Sequence, residues 1–345
     1  MKKHNIKVEL VCTDVVGLSS MSKRSRDALL LSLQKCCRTV SLTVVSNAKD
    51  LSKLTQRAPD LIVLGLKYIY EYGEHAERIW LSEYLDKQGL EYCGSKAIAH
   101  KLDHHKHLAK RAVSAFNIDT PKSVFVDKAS FDHGRIKSLR FPLFIKPACS
   151  GGGSGIDEKS VVNNMSELKA RGACILADFP SGYLIEEYLT GREFSVAILM
   201  NSILGKYEAL PVELVAPRTA KGHRILGQNV KTGDQEKVLV VTDVEEHKYI
   251  SEFALSCFQA LGGRDYGRVD IRMDAAGNAN FLEANLIPSL IEGYGTFPKA
   301  CLLNRSLSHD NMTEKIVALG VRRLSSRLTF TIGNRPRPIK RYELV

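Results

Sequence analysis

Period-two alternation and short apolar runs organise residues 1–70. Ile6–Val11, Val40–Val45 and Leu61–Leu64 read as strands, the last introduced by Pro59-Asp60. Between the first two, Ala28–Leu33 with Cys36 and Cys37 reads as a buried helix behind the cap-rich loop Gly17–Ser22. Strand and helix signals in alternation predict a small doubly wound α/β sheet, with ligand loops at the carboxyl ends of its strands. A helical stretch around Ala76–Leu85 and a short strand Leu90–Cys93 follow. Gly94-Ser95 then opens a helix running to about Phe116. Its His104-His105-Lys106-His107 tract cannot share one helical face and reads as a charged solvent side with one useful lysine.

Further along, Phe141–Pro147 puts Phe144 and Lys146 on one strand face and runs into a loop holding Gly151, Gly152, Gly153, Ser154 and Gly155. Glycines let backbone amides approach phosphate oxygens and a lysine adds a point charge, although such a loop alone is more often a linker. Tyr183–Leu189 reads as a short strand ending at Thr190-Gly191, and Glu193–Leu199 as the next, with Phe194, Val196 and Ile198 facing a core. Residues 215–237 are polar, Gly-rich and basic, a length that implies function or disorder. A helix over 245–260 leads into a hairpin, Asp265–Asn285, turning at Ala275–Asn278. If Asp274 faces Ala279, Asp270 lies opposite Glu283 and Arg268 opposite Asn285 on one face. Opposed carboxylates destabilise a sheet unless a cation such as Mg²⁺ relieves them; the plainer alternative is a solvent-facing strand pair.

Composition narrows the class. A chain of 345 residues suggests two or three domains, and 44% hydrophobic with 25% charged content is ordinary for a globular protein. No run of about 18 apolar residues predicts a membrane span, and Met1–His4 leads into a polar-interrupted strand rather than a signal segment, so a cytoplasmic location is expected. Eight cysteines without a CxxC pair read as buried free thiols. A net charge of +11 suits nucleic acid or anionic nucleotide phosphates, but no nucleic-acid motif is present. The basic run Arg322–Arg341 reads as a solvated tail.

Taken in order, Lys146 with its glycine loop, Glu186-Glu187-Tyr188-Leu189-Thr190-Gly191-Arg192-Glu193-Phe194, Gly267-Arg268-Val269-Asp270 and Glu283-Ala284-Asn285 resemble the ATP-grasp superfamily. Within it the series is most similar to the D-alanine–D-alanine ligases, and the opening Tyr92-Cys93-Gly94-Ser95 fits too. The resemblance covers about residues 90–300, and the first 90 match in general architecture. It implies an α/β N-terminal domain (1–93), a two-lobed α+β ATP-grasp fold (94–182 and 183–305) and a basic tail (306–345).

The resemblance also implies a carboxylate–amine ligase that works through an acyl phosphate. Lys106 and Lys146 would hold the α- and β-phosphates, and Gly151–Gly155 would close over the γ-phosphate. Glu186 would accept the adenine amino group, Glu187, Tyr188 and Leu189 would form the hinge, and Glu193 would bind the ribose. Asp270, Glu283 and Asn285 would hold two Mg²⁺ ions, with Mn²⁺ as the alternative, and Arg268 would stabilise the transferred phosphoryl group. The substrates would be a small carboxylate and an amine, amino acids being the expected class, touched by Ser19, Lys231, Ser289 and Tyr294. No membrane or nucleic-acid partner is expected, and a homodimer is the assembly the resemblance admits. A ligase for another carboxylate, a silent ATP-binding module and a nucleic-acid binder are the competing readings.

The chain departs from the family where amino acids would bind. Its loop Gly17–Ser22 has no carboxylate, and Lys67 stands after Leu66 where a neutral or acidic group is the family's pattern. Leu286–Tyr294 replaces a Thr-x-Pro-Gly-Met-Thr run and introduces Glu292, which would repel a substrate carboxylate at close range. Substrates other than paired D-alanine are therefore expected.

Overall fold

The computed structural model describes residues 3–15, 21–71, 77–127 and 133–333. At the N-terminus, four parallel strands lie in the order Cys37–Val44, His4–Cys12, Leu61–Leu64, Tyr92–Cys93. The helix Lys23–Cys36 starts where the Ser22 hydroxyl accepts from the Ser25 amide at 3.2 Å, and it buries Leu29, Leu33 and Cys36 against the sheet. The helical stretch expected around Ala76–Leu85 begins outside the described residues. Within them it is a strand, Arg78–Trp80, paired with Tyr68–Tyr70 and followed by a short helix, Leu81–Lys87. The Ile79-Trp80 pair favours extended backbone over helix.

The helix expected from Gly94 to Phe116 is two helices, Ala97–His104 and Lys106–Ser114. His105 between them is extended, which frees the Lys106 amide to donate to Ala148 O at 3.0 Å. The tract is not a solvent face. Lys106 is buried, and His104, His105 and His107 are half-buried beside Tyr68, Trp80 and Phe125.

Two antiparallel sheets follow. The first runs Ser123–Val126, Tyr183–Glu187, Leu143–Pro147, Val161–Val162 and packs under the helix Met165–Asp178. Gly172 of that helix leaves room for the Tyr183 hydroxyl, which would stand 2.5 Å from any Cβ there. Tyr183–Glu187, counted above with the C-terminal lobe, thus hydrogen-bonds in the central sheet. The second sheet runs Lys237–Val240, Lys206–Val215, Glu193–Asn201, Tyr266–Met273, Ala279–Asn285. The helix Val244–Ala260 buries Ile250, Ala254, Cys257 and Phe258 against it.

The last segment departs furthest from expectation. In place of a basic tail from 306, the helix His309–Gly333 covers the N-terminal sheet, with Met312, Ile316, Val317 and Leu319 packed in one core with Leu29, Leu33 and Leu61; the rest of the run read as solvated, 334–341, lies outside the described residues. Arg323 donates to Glu91 at 2.6 Å, to both oxygens of Asp265 at 2.5 and 2.9 Å, and to Tyr92 O at 2.8 Å. Apolar residues at helical spacing, with a basic residue spent on buried carboxylates, explain why charge alone misreads this segment. Six cysteines are buried as free thiols; Cys149 is half-buried and Cys174 exposed, contrary to a uniform expectation. Among the described residues no helix is long and apolar enough to cross a membrane.

Candidate active site

The hairpin sets the site. Arg268 pairs with Asn285 and Asp270 with Glu283, as alternation predicts, but the turn half is one residue out of step: Met273, not Asp274, faces Ala279. Ile271 pairs with Phe281, so Leu282 is an extra residue on the returning strand. That bulge moves Glu283 opposite Asp270; in unbroken register Leu282 would stand there. Asp274 instead accepts from the Ala276 and Asn278 amides at 2.9 and 2.8 Å and fastens the turn.

Charges on this face neutralise each other. Arg268 binds both oxygens of Asp270, each at 2.9 Å, and the Ser195 hydroxyl donates to Asp270 at 2.7 Å. Lys106 stands 3.3 Å from Glu283 and also donates to Ser150 O. Burial alone would raise the Glu283 carboxyl; Lys106, Lys146, Lys231 and Arg268 overcome it and hold the group far below the carboxylate range. The donors that face the cavity are two carboxylates and an amide oxygen. That hard-oxygen set, with cations already drawn toward it, fits Mg²⁺.

Beside the hairpin, Lys146 on Leu143–Pro147 reaches Glu186 at 2.9 Å, and Lys110 reaches the other Glu186 oxygen at 2.8 Å. Lys110 also donates to Thr120 Oγ1 at 2.7 Å and Phe281 O at 3.1 Å. All three charged groups are buried. Burial pulls Lys110 down to about 8 despite Glu186. It would raise Glu186, but the two lysines hold that carboxyl below its usual range. Sequence reasoning missed Lys110. Its signal was the four-residue spacing from Lys106, which places both on one helical face.

Glu193 opens its strand and binds Arg272 at 3.0 Å, yet burial leaves its carboxyl raised. Arg272 also donates to the Tyr188 hydroxyl at 3.3 Å and Arg224 O at 3.1 Å. This second missed residue continues the period-two row of Arg268 and Asp270. In the hinge, the Tyr188 amide donates to Pro142 O at 3.0 Å, and Glu187 accepts from the Arg140 amide at 3.1 Å.

One cavity gathers most of these groups; Lys106, Lys110 and Lys146 are paired with Glu283 and Glu186 and do not line it. Gly152, Glu186, Glu187, Tyr188, Leu189, Glu193, Lys231, Arg268, Asp270, Glu283, Asn285, Ser289 and Tyr294 line it, with Phe144, Ile156, Leu214, Ile225 and Leu282 as its apolar side. Ser19 lies outside the described residues. The glycine loop and the basic loop meet: the Gln228 amide donates to Ile156 O at 3.2 Å, and a Cβ on Gly153 would stand 2.9 Å from Gln228 N. The basic loop is ordered by an Arg218–Arg224 bridge and the short helix Gln228–Thr232. The Tyr294 hydroxyl donates to Lys231 O at 2.5 Å.

Lys67 and Glu292 do not act as expected. Lys67 is bound to buried Asp103, whose other oxygen accepts from the Leu286 amide at 2.7 Å, so its charge is spent on holding the segment after the hairpin. Glu292 is exposed and does not line the cavity.

The chain resembles known proteins in sequence and in fold. Residues 112–318 match the family model described as D-ala D-ala ligase C-terminus. The D-alanine–D-alanine ligase of Aquifex aeolicus is 30% identical over 242 residues, 70% of this chain and 76% of the relative. That of Chromohalobacter salexigens is 29% identical over 247 residues, 70% of this chain and 72% of the relative. The D-alanine–D-alanine ligase of Bacillus anthracis complexed with ATP superposes with a TM-score of 0.73 at 18% identity, covering 93% of this chain and 99% of that one. The VanG D-Ala:D-Ser ligase of Enterococcus faecalis gives 0.68 at 20% identity, covering 92% and 99%.

Proposed function

Because the chain belongs to the D-alanine–D-alanine ligase family, we propose that its cavity binds ATP, two divalent cations and two amino acids that differ from paired D-alanine. The enzyme is an ATP-dependent ligase that forms a peptide bond. In the proposed reaction a substrate carboxylate oxygen attacks the γ-phosphorus, the bond to the bridging oxygen breaks, and ADP leaves. The second substrate's amine then attacks the acyl carbon; phosphate leaves and the amine loses its proton.

Each group has a part in this scheme. The apolar side around Phe144 and Leu282 suits the base, with Glu186–Leu189 at its edge and Glu193 at the ribose. Lys106, Lys146 and Gly151–Gly155 take the phosphates, and Lys110 keeps Glu186 ionised and in place. Arg268, fixed by its two bonds to Asp270, presents a cation to the transferring group. Mg²⁺ held by Asp270, Glu283 and Asn285 supplies further charge neutralisation, and Mn²⁺ shares its preference for oxygen. Closure of the two loops excludes water from the acyl phosphate.

The observation that carries the reading is the bulged register that sets Asp270 against Glu283 with Arg268 and Lys106 alongside. Altered substrate choice is supported by the carboxylate-free Gly17–Ser22 sequence and by Ser289 and Tyr294 on the cavity wall. Phosphate release measured against single and paired D- and L-amino acids tests it. Turnover is expected with a pair other than D-alanine alone; efficient turnover with D-alanine and with nothing else contradicts the altered pocket.

A further inference from the structure

Away from the oxygen-lined site, the break between helices Ala97–His104 and Lys106–Ser114 gathers donors of another kind. One ligand atom each from His104, His105 and Cys149 lie within 4.8 Å of one another, and Cys149 Sγ is 3.0 Å from His105 Nδ1. His104 Nε2 is buried and has no hydrogen-bond partner. A buried ring nitrogen without a partner has given up its hydrogen bond to water, so it stands ready to be satisfied. We propose that His104, His105 and Cys149 form a binding site for a borderline-soft divalent cation, zinc, with the fourth position left to water.

The chemistry separates this site from the carboxylate face. Sulfur and imidazole donors select zinc, whereas Mg²⁺ takes oxygen. Tetrahedral zinc, with bonds of about 2.3 Å to sulfur and about 2.0–2.1 Å to nitrogen, needs donors roughly 3.5 Å apart. The 3.0 Å pair opens slightly and the more distant donor closes by about an ångström, which side-chain rotation supplies. Burial keeps both imidazoles in the neutral form that donates a lone pair; Cys149 gives up its proton to water as the metal binds. All three residues are half-buried, which leaves a path from solvent.

Nearby cations are mostly spoken for. Lys67 is paired with Asp103, Lys106 faces Glu283 at 3.3 Å, and Arg78 lies 4.8 Å over the Tyr68 ring. Tyr68 and Trp80 hold the His104 ring edge-on at 5.1 and 5.8 Å between centroids. A metal here would tie the helix that begins at Lys106 to the strand end that begins the glycine loop, because Cys149 follows Ala148, the acceptor of the Lys106 amide.

The full chain, freed of metal and kept reduced, is dialysed against zinc in excess Mg²⁺, and bound zinc is counted by elemental analysis. Cobalt(II) serves as the spectroscopic probe. Wild type should hold one more zinc per chain than Cys149→Ser and show a thiolate-to-cobalt charge-transfer band that Cys149→Ser lacks. His104→Gln should weaken zinc binding roughly ten-fold or more while keeping the band, the loss expected for one removed ligand. Equal zinc in wild type and Cys149→Ser, or a cobalt spectrum with no thiolate band, overturns the site. Melting curves in chelator show whether each variant is folded, and if Cys149→Ser is not, the His104→Gln affinity decides.

Discussion

Glu186 is the residue on which most of the buried charge depends, because Lys110 and Lys146 share its two oxygens. Replacing it with Gln leaves two buried ammonium groups without a counterion, and removing one partner of a buried pair typically costs about 3–5 kcal/mol. Glu186→Gln should therefore melt well below wild type and bind ATP weakly, read by calorimetry of both transitions; wild-type melting contradicts the pairing. The same carboxyl sets an acid limit. Glu186 and Glu283 are held below their usual value of 4.5, so the stability they contribute is fully present above that pH and is lost as pH falls through their lowered folded values. Raised Glu193 works in the opposite sense. Melting temperature should fall steadily below about pH 4.5, and less steeply in Glu186→Gln. Lys146 is legible as a lysine ahead of a glycine loop, and Lys106 through the family resemblance. Lys110 and Arg272 carry only spacing signals, and their burial, like the partial burial of His104, His105 and His107, depends on the neighbours that enclose them.

At the scale of elements, alternation located the hairpin and its charged face but not the bulge at Leu282. One inserted residue has no signature in a period-two pattern, so the turn half of the register came out shifted. Deleting Leu282 joins Phe281 to Glu283 and leaves Glu283 opposite Asp270 in an unbroken ladder, so the variant should keep the sheet's circular dichroism and a measurable part of its ligation; complete loss of ligation in the folded variant contradicts this register. The two loops over the cavity form the second element-scale feature. Gly153 has φ +78 and meets the Gln228 amide, so Gly153→Ala meets both strain and a clash. It should lower kcat several-fold with little change in melting temperature. Amide exchange in 151–156 and 216–233 should slow when nucleotide and substrate bind, and equal exchange with and without them contradicts a closing lid.

Across the whole molecule, the central and C-terminal sheets present their loops and strand faces to one cavity, and the helix His309–Gly333 closes the N-terminal sheet. The strands His4–Cys12, Cys37–Val44, Leu61–Leu64 and Tyr92–Cys93 were legible as apolar or alternating runs, whereas the helix Ala48–Arg57 and the strand pair Tyr68–Tyr70 with Arg78–Trp80 were not. The docking of His309–Gly333 was not, since it depends on which distant surface lacks a cover. Arg323→Ala should destabilise the protein by about 3 kcal/mol, because Glu91 and Asp265 lose the guanidinium that binds both, and a thermal shift checks it. Coupling of ATP cleavage to peptide-bond formation in this cavity depends, in the proposed function, on Asp270 and Glu283. It is tested most directly by mass spectrometry of products after wild type and Asp270→Asn are each incubated with ATP, Mg²⁺ and mixed D- and L-amino acids. Wild type should give a dipeptide with one ADP and one phosphate per bond, and the folded variant none. ATP consumption without a dipeptide, or the same dipeptide from Asp270→Asn, would contradict it.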